Sequence, residues 1–132
     1  MSPASPALPK GIPDCLKKRQ LLNDQISPEL CREYGQKFLE LGWQEDALEF
    51  FKKGSLADDL EKLKPYCLET GDAFMLWRLG HQVPEEWRHL GERALALGKL
   101  YFAKRAFEFA GDDEKTAMVA GLIAGQTPPE DS

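Results

Sequence analysis

The chain has 132 residues, enough for one domain of ordinary size and too few for two catalytic ones. Hydrophobic residues make up 42% of it and charged residues 30%, which supplies a core and excludes a disordered chain. Seventeen basic residues against 22 acidic ones give a net charge of −5, the wrong sign for a protein that depends on phosphate contacts, so nucleic acid is not an expected partner.

Pro3, Pro6, Pro9 and Pro13 crowd the start, and residues 1–13 read as a flexible proline-rich tail. No basic start followed by an apolar stretch appears there, so no secretory signal is expected. A weakly basic helix with Lys17, Lys18 and Arg19 follows, carrying Leu16, Leu21, Leu22 and Ile26. Ser27-Pro28-Glu29 then supplies an N-cap, a proline at the first helical position and a carboxylate near the positive end of the helix dipole. The helix it opens runs through Leu30, Tyr34, Phe38 and Leu41 and stops at Gly42. A second helix, from Trp43 or Gln44 to Lys53, turns Ala47, Leu48, Phe50 and Phe51 inward and ends at Gly54. Ser55 with Asp58 resembles a capping box and is expected to open the next helix, in which Lys64-Pro65 predicts a kink or break.

The chain resumes through Tyr66 to Glu69, stops at Gly71, and restarts at Asp72 for a short helix containing Phe74 and Trp77. Val83-Pro84-Glu85 opens a long helix ending at Gly98, Lys99 to Ala110 forms its partner, and Gly111-Asp112 introduces a last helix ending near Ala124. Residues 126–132 read as a polar tail. No stretch alternates with β-branched enrichment, so the expected class is all-α, and no window approaches the ~20 apolar residues that span a bilayer. Cys15, Cys31 and Cys67 are odd in number and widely spaced, which points away from a disulfide framework or zinc ribbon and toward a reducing, cytoplasmic setting.

An offset of 56 residues superposes Pro28-Glu29 on Pro84-Glu85, Arg32 on Arg88, Gly35 on Gly91, Leu39 on Leu95, Leu41-Gly42 on Leu97-Gly98, Ala47 on Ala103 and Phe51 on Phe107. These are nine identities in the 27 positions from Pro28 to Gly54, and they include both proline starts and both glycine stops. Glycine inside a helix costs about 1 kcal/mol against alanine, so Gly35 and Gly91 call for a packing return. A close approach between paired helices, with the glycine facing Ala47 or Ala103 and the phenylalanine beyond, would provide it.

Cys31, Tyr34, Gly35, Phe38, Gly42, Ala47, Phe51 and Gly54, and again Trp87, Leu90, Gly91, Ala94, Gly98, Ala103, Phe107 and Ala110, fall at the spacings of a helical-hairpin repeat. This pattern resembles the tetratricopeptide repeat, with departures. The proline expected near the end of each unit is replaced by Asp59 and Lys115, and in a middle copy Lys64 stands where the glycine belongs. The resemblance implies a short right-handed α-solenoid within one domain, residues 14–125. Its hairpins fall near 28–54, 57–83 and 84–110, with an N-terminal helix before them and a capping helix over 112–125.

In that family the first helices of successive hairpins line a groove that holds a partner segment. The resemblance therefore implies that Arg32, Gln36 and Leu39, with Arg88, Glu92 and Leu95, are partner-binding residues. The matched arginines suit a carboxylate or a backbone carbonyl. The lysine and asparagine set that clamps a chaperone's C-terminal carboxylate in the family is absent. Trp43 and Trp77 are hard to bury by pattern and are the further candidate contacts.

Little points to chemistry. His81 and His89 lie eight residues apart without a ligand spacing, so no metal is expected. Glu45-Asp46-Glu49 and Asp58-Asp59-Glu61 sit at helix starts, where acids favour the dipole. No phosphate-binding glycine loop and no nucleophile elbow occurs. The expected function is therefore a non-catalytic scaffold or adaptor, without cofactor, that binds a peptide or helix of a partner protein. The alternative is an architectural subunit that self-associates or joins a larger complex through apolar terminal helices.

Overall fold

A computed structural model describes residues 11–126. The expected proline-rich tail lies outside the described residues except for 11–13, and the polar tail except for its first position. The described residues form helices joined by short turns, with no strand among them. They divide into two compact units between Lys62 and Leu63.

The first unit contains α1 (Cys15–Asn23), α2 (Pro28–Glu40), α3 (Gln44–Lys53) and α4 (Ala57–Glu61). Asp14 caps α1 by accepting the Lys17 amide at 2.8 Å, and Ser27 Oγ does the same for Leu30 at 3.1 Å ahead of Pro28. Helices α2 and α3 form a hairpin whose seam buries Cys31, Gly35 and Phe38 against Ala47, Leu48, Phe50 and Phe51. Phe50 stacks on Phe38 with centroids 5.7 Å apart, and Tyr34 leans on Phe50 at 5.4 Å. A methyl group on Gly35 would stand 2.4 Å from Phe51 Cε1, so the ring itself fills the space that the missing side chain leaves. The phenylalanine, placed beyond the alanine by the sequence reading, is thus the direct counterpart of the glycine.

The expected capping box at Ser55 does not form. Helix α4 begins after Leu56 with no side-chain cap, and Ser55 adopts a left-handed φ of +54° in the turn. The reason lies one residue earlier: Gly54 keeps a right-handed φ of −83°, so the reversal out of α3 falls on Ser55 and uses it as a turn residue. Burial of Leu56 then fixes the start of α4.

The second unit contains α5 (Lys64–Thr70), α6 (Ala73–Arg78), α7 (Pro84–Ala96), α8 (Leu100–Ala110) and α9 (Asp113–Gln126). Pro65 interrupts the chain as expected: α4 ends at Glu61, and the proline sits in the first turn of α5, where its missing N–H leaves no bond unmade. Lys64, which replaces the repeat's glycine, points its ammonium at Glu86 of α7, 3.1 Å away. Gly71 ends α5 with a left-handed φ of +68°, and a methyl group there would lie 2.8 Å from Ala94 Cα on α7. Asp72 opens α6 by accepting the Met75 amide at 2.9 Å.

Helices α7 and α8 repeat the plan of α2 and α3. Trp87, Leu90, Gly91 and Ala94 are buried against Ala103, Ala106 and Phe107, and a methyl group on Gly91 would meet Phe107 Cε1 at 2.7 Å. Helix α9, capped by Asp112 on the Lys115 amide at 3.1 Å, packs on α8 through buried Val119 and leaves Met118 and Leu122 exposed.

Candidate functional site

The residues expected to line a groove lie on the outer faces of α2 and α7. Arg32 Nε donates to Asp59 Oδ2 at 2.8 Å, and Lys62 donates to the other oxygen at 2.9 Å, so Asp59 is buried between two cations. Burial opposes ionisation of Asp59, but the hydrogen bonds from Arg32 and Lys62 outweigh it and hold the carboxyl below the ordinary 3.8. Arg88 Nε stands 3.5 Å from Asp112 Oδ2, and Glu92 is ion-paired with Lys115 of α9. Each arginine thus reaches from the first helix of its hairpin to an acid at the start of the helix after the hairpin. Gln36, Leu39 and Leu95 are half-buried. Both arginines thus pair outside their own helices, although Glu29 and Glu85 stand three residues before them on the same helix.

Trp43 lies in the first unit and stacks on Phe38, centroids 5.7 Å apart, at the edge of a concavity of about 830 Å³ between α1 and α3. Charged side chains line that concavity. The Lys18 ammonium lies against Asp46 and 2.9 Å from Glu49; burial disfavours its charge, and the hydrogen bonds it donates to the two carboxylates override this and raise its pKa.

Trp77 lies in the second unit with surroundings that the sequence reading did not assemble. It is 57% exposed and lines a cleft of about 680 Å³ between α6 and α8. Phe74 and Ala73 stand beside it on α6, and Tyr101, Phe102, Arg105 and Phe109 face it from α8. Phe74, Tyr101 and Phe109 are 55%, 73% and 41% exposed. Helix α8 has neighbours on several sides: Ala103 and Phe107 face the α7 seam, Phe109 leans on Trp87 of α7 at 4.7 Å, and α6 and α9 pack on its other faces. The sequence signal was the second apolar face of α8, Phe102, Ala106 and Phe109, together with Phe74 and Trp77 at helical spacing. Missing was the knowledge that α6 is too short to cover that face.

Among the described residues no group of three or more His, Cys, Asp or Glu side chains gathers to hold a metal, and both histidines are exposed. Cys31 and Cys67 are buried; burial raises the thiol pKa of Cys31 and pushes that of Cys67 up to about 12, so both are protonated at neutral pH. Among the described residues no helix is long and apolar enough to cross a membrane. Compared with protein-family models, curated proteins and solved structures, the chain matches none.

Proposed function

We propose that the chain is a non-catalytic helical-repeat module that binds a segment of a partner protein, working in a reducing cytoplasm. The single observation that carries this is the cleft between α6 and α8, where Phe74, Trp77, Tyr101 and Phe109 present exposed ring surface on one face of a small unit. Exposed aromatics beside arginine are the composition of binding hot spots. In this reading the two hairpins are divergent tetratricopeptide-like units of a short solenoid, and the interrupted segment 57–83 is a degraded third. The arginine-lined faces of α2 and α7 are secondary to the cleft, since Arg32 and Arg88 are engaged by Asp59 and Asp112.

Affinity capture from native lysate tests the reading. A protein retained by the wild-type chain and by Trp43→Ala, and lost by Trp77→Ala and Tyr101→Ala, is the expected result. Equal retention by all four moves the contact away from the cleft. A second reading, self-association, is favoured by the exposure of Met118 and Leu122 on α9. Sedimentation of Met118→Glu against wild type decides it: a dimer that the charge dissociates supports assembly through α9.

A further inference from the structure

The 56-residue offset carries α3 onto α8, and each of these helices meets one further helix, α1 in the first unit and α6 in the second. On α8, Phe102 stands at the position of Asp46 and Arg105 at the position of Glu49. In the first unit Asp46 and Glu49 hold the Lys18 ammonium of α1 between them. In the second a ring and a cation occupy the same two positions and line the α6–α8 cleft.

Two consequences follow. The cleft is lined by aromatic surface where the first unit has an ion pair. Arg105, at the position of Glu49, finds no counterpart on α6, which carries no acid. Among the described residues no ion pair engages Arg105. The one acid lining the cleft, Glu108, lies 3.6 Å from Lys104 Nζ on its own helix. The Arg78 guanidinium lies 5.6 Å from the centre of the Phe74 ring at the opposite wall. A chain of net charge −5 thus gathers Arg78, Lys104 and Arg105 around four exposed rings.

We infer that the α6–α8 cleft receives a partner segment that sets a carboxylate beside a bulky apolar side chain. The apolar group enters between Phe74, Trp77 and Tyr101, and the carboxylate restores to Arg105 the opposite charge that Lys18 gives Glu49 in the first unit. An arginine–carboxylate fork and a ring pocket side by side orient one segment better than either alone. A second copy of this chain is a poor occupant, since a two-fold contact through the cleft would set Arg105 against the same positive surface. This inference rests on the reading of the cleft as a protein-binding surface.

Selection of a displayed random-peptide library on the intact chain tests it. The expected pool is rich in Asp or Glu next to Trp, Phe or Leu. A synthetic peptide from it is expected to bind about tenfold more weakly to Arg105→Glu, to weaken with added salt, and to be lost by Trp77→Ala and Tyr101→Ala with helical circular dichroism unchanged. A neutral or basic pool, or binding indifferent to Arg105→Glu but lost with Trp77→Ala, overturns the acidic chemistry and leaves the protein-binding reading standing. No pool, or a pool that Trp77→Ala and Tyr101→Ala both retain, overturns the cleft itself. A wild-type dimer dissociated by Trp77→Ala assigns the cleft to a second copy and overturns the inference.

Discussion

The hairpins α2–α3 and α7–α8 share an interior and differ outside. Inside, Gly35 lies under the Phe51 ring and Gly91 under the Phe107 ring, with all four residues buried. Both also send an arginine from the first helix to an acid at the start of the helix that follows the hairpin. Outside, the helix packed on α3 closes its contact with ions, and the helix packed on α8 leaves rings and an arginine open. The interior tolerates little change because a glycine and an aromatic ring form a matched pair, so changing one demands a change in the other. The exterior has no such partner requirement, and there the first unit has an ionic contact and the second an aromatic one.

The most damaging single change is expected at a site that only the second unit has. Gly71→Ala combines a left-handed conformation with a methyl group 2.8 Å from the Ala94 backbone, and backbone cannot rotate aside. A loss of about 2–5 kcal/mol is expected from the two costs together. Urea unfolding should show it, and a stability unchanged within error would mean that α5 and α7 do not approach as described.

The shared seam comes next. Gly35→Ala and Gly91→Ala each place a methyl group against a buried ring, with an expected loss of about 1–3 kcal/mol. The equivalence of the hairpins predicts that the two losses agree within about 1 kcal/mol. It also predicts that each alanine costs less when its ring is trimmed, in the doubles Gly35→Ala/Phe51→Leu and Gly91→Ala/Phe107→Leu. Strict additivity in both doubles would break the pairing of glycine with ring in both hairpins.

The buried acid Asp59 gives the first unit a dependence on pH. Its folded pKa lies below 3.8, so its contribution is fully present above that value and is lost as pH falls through the lower, folded one. Asp59→Asn is expected to cost about 1–3 kcal/mol at neutral pH and to flatten the acid limb of the stability curve below pH 4. Melting curves of wild type and variant should converge at low pH. A constant gap down to the lowest pH studied would mean that packing, and not charge, is what Asp59 supplies.

Much of this was legible in the sequence, for a local reason. Proline starts, glycine stops and the 56-residue offset are written in the residues that form them, and the ends of α2, α7 and α8 fall where those signals put them. Capping at Ser55 was not legible, because it depended on which of two neighbouring residues takes the left-handed conformation. The partners of Arg32 and Arg88 were not legible either, since Asp59 and Asp112 lie 27 and 24 residues further along and no helical spacing connects them. Trp77 was singled out as a residue without a home. Its neighbours Phe74, Tyr101 and Arg105 required knowledge of how α6 lies against α8.

The smallest expected effect separates the two exposed tryptophans. Trp43 and Trp77 are 40% and 57% exposed, a modest difference, yet their surroundings differ in kind. Trp43 stacks on the buried ring of Phe38 and helps to cover the α2–α3 seam. Among the described residues no ring stacks on Trp77. Trp43→Ala therefore removes an aromatic pair as well as apolar contact and is expected to cost about 1–2 kcal/mol. Trp77→Ala gives up a side chain already half in water, with an expected change within about 0.5 kcal/mol. Thermal melts of the two variants would sharpen the contrast between a tryptophan that packs on its own unit's core and one that does not. A loss at Trp77 as large as that at Trp43 would make Trp77 part of the fold's own packing and leave its exposure without a partner to serve.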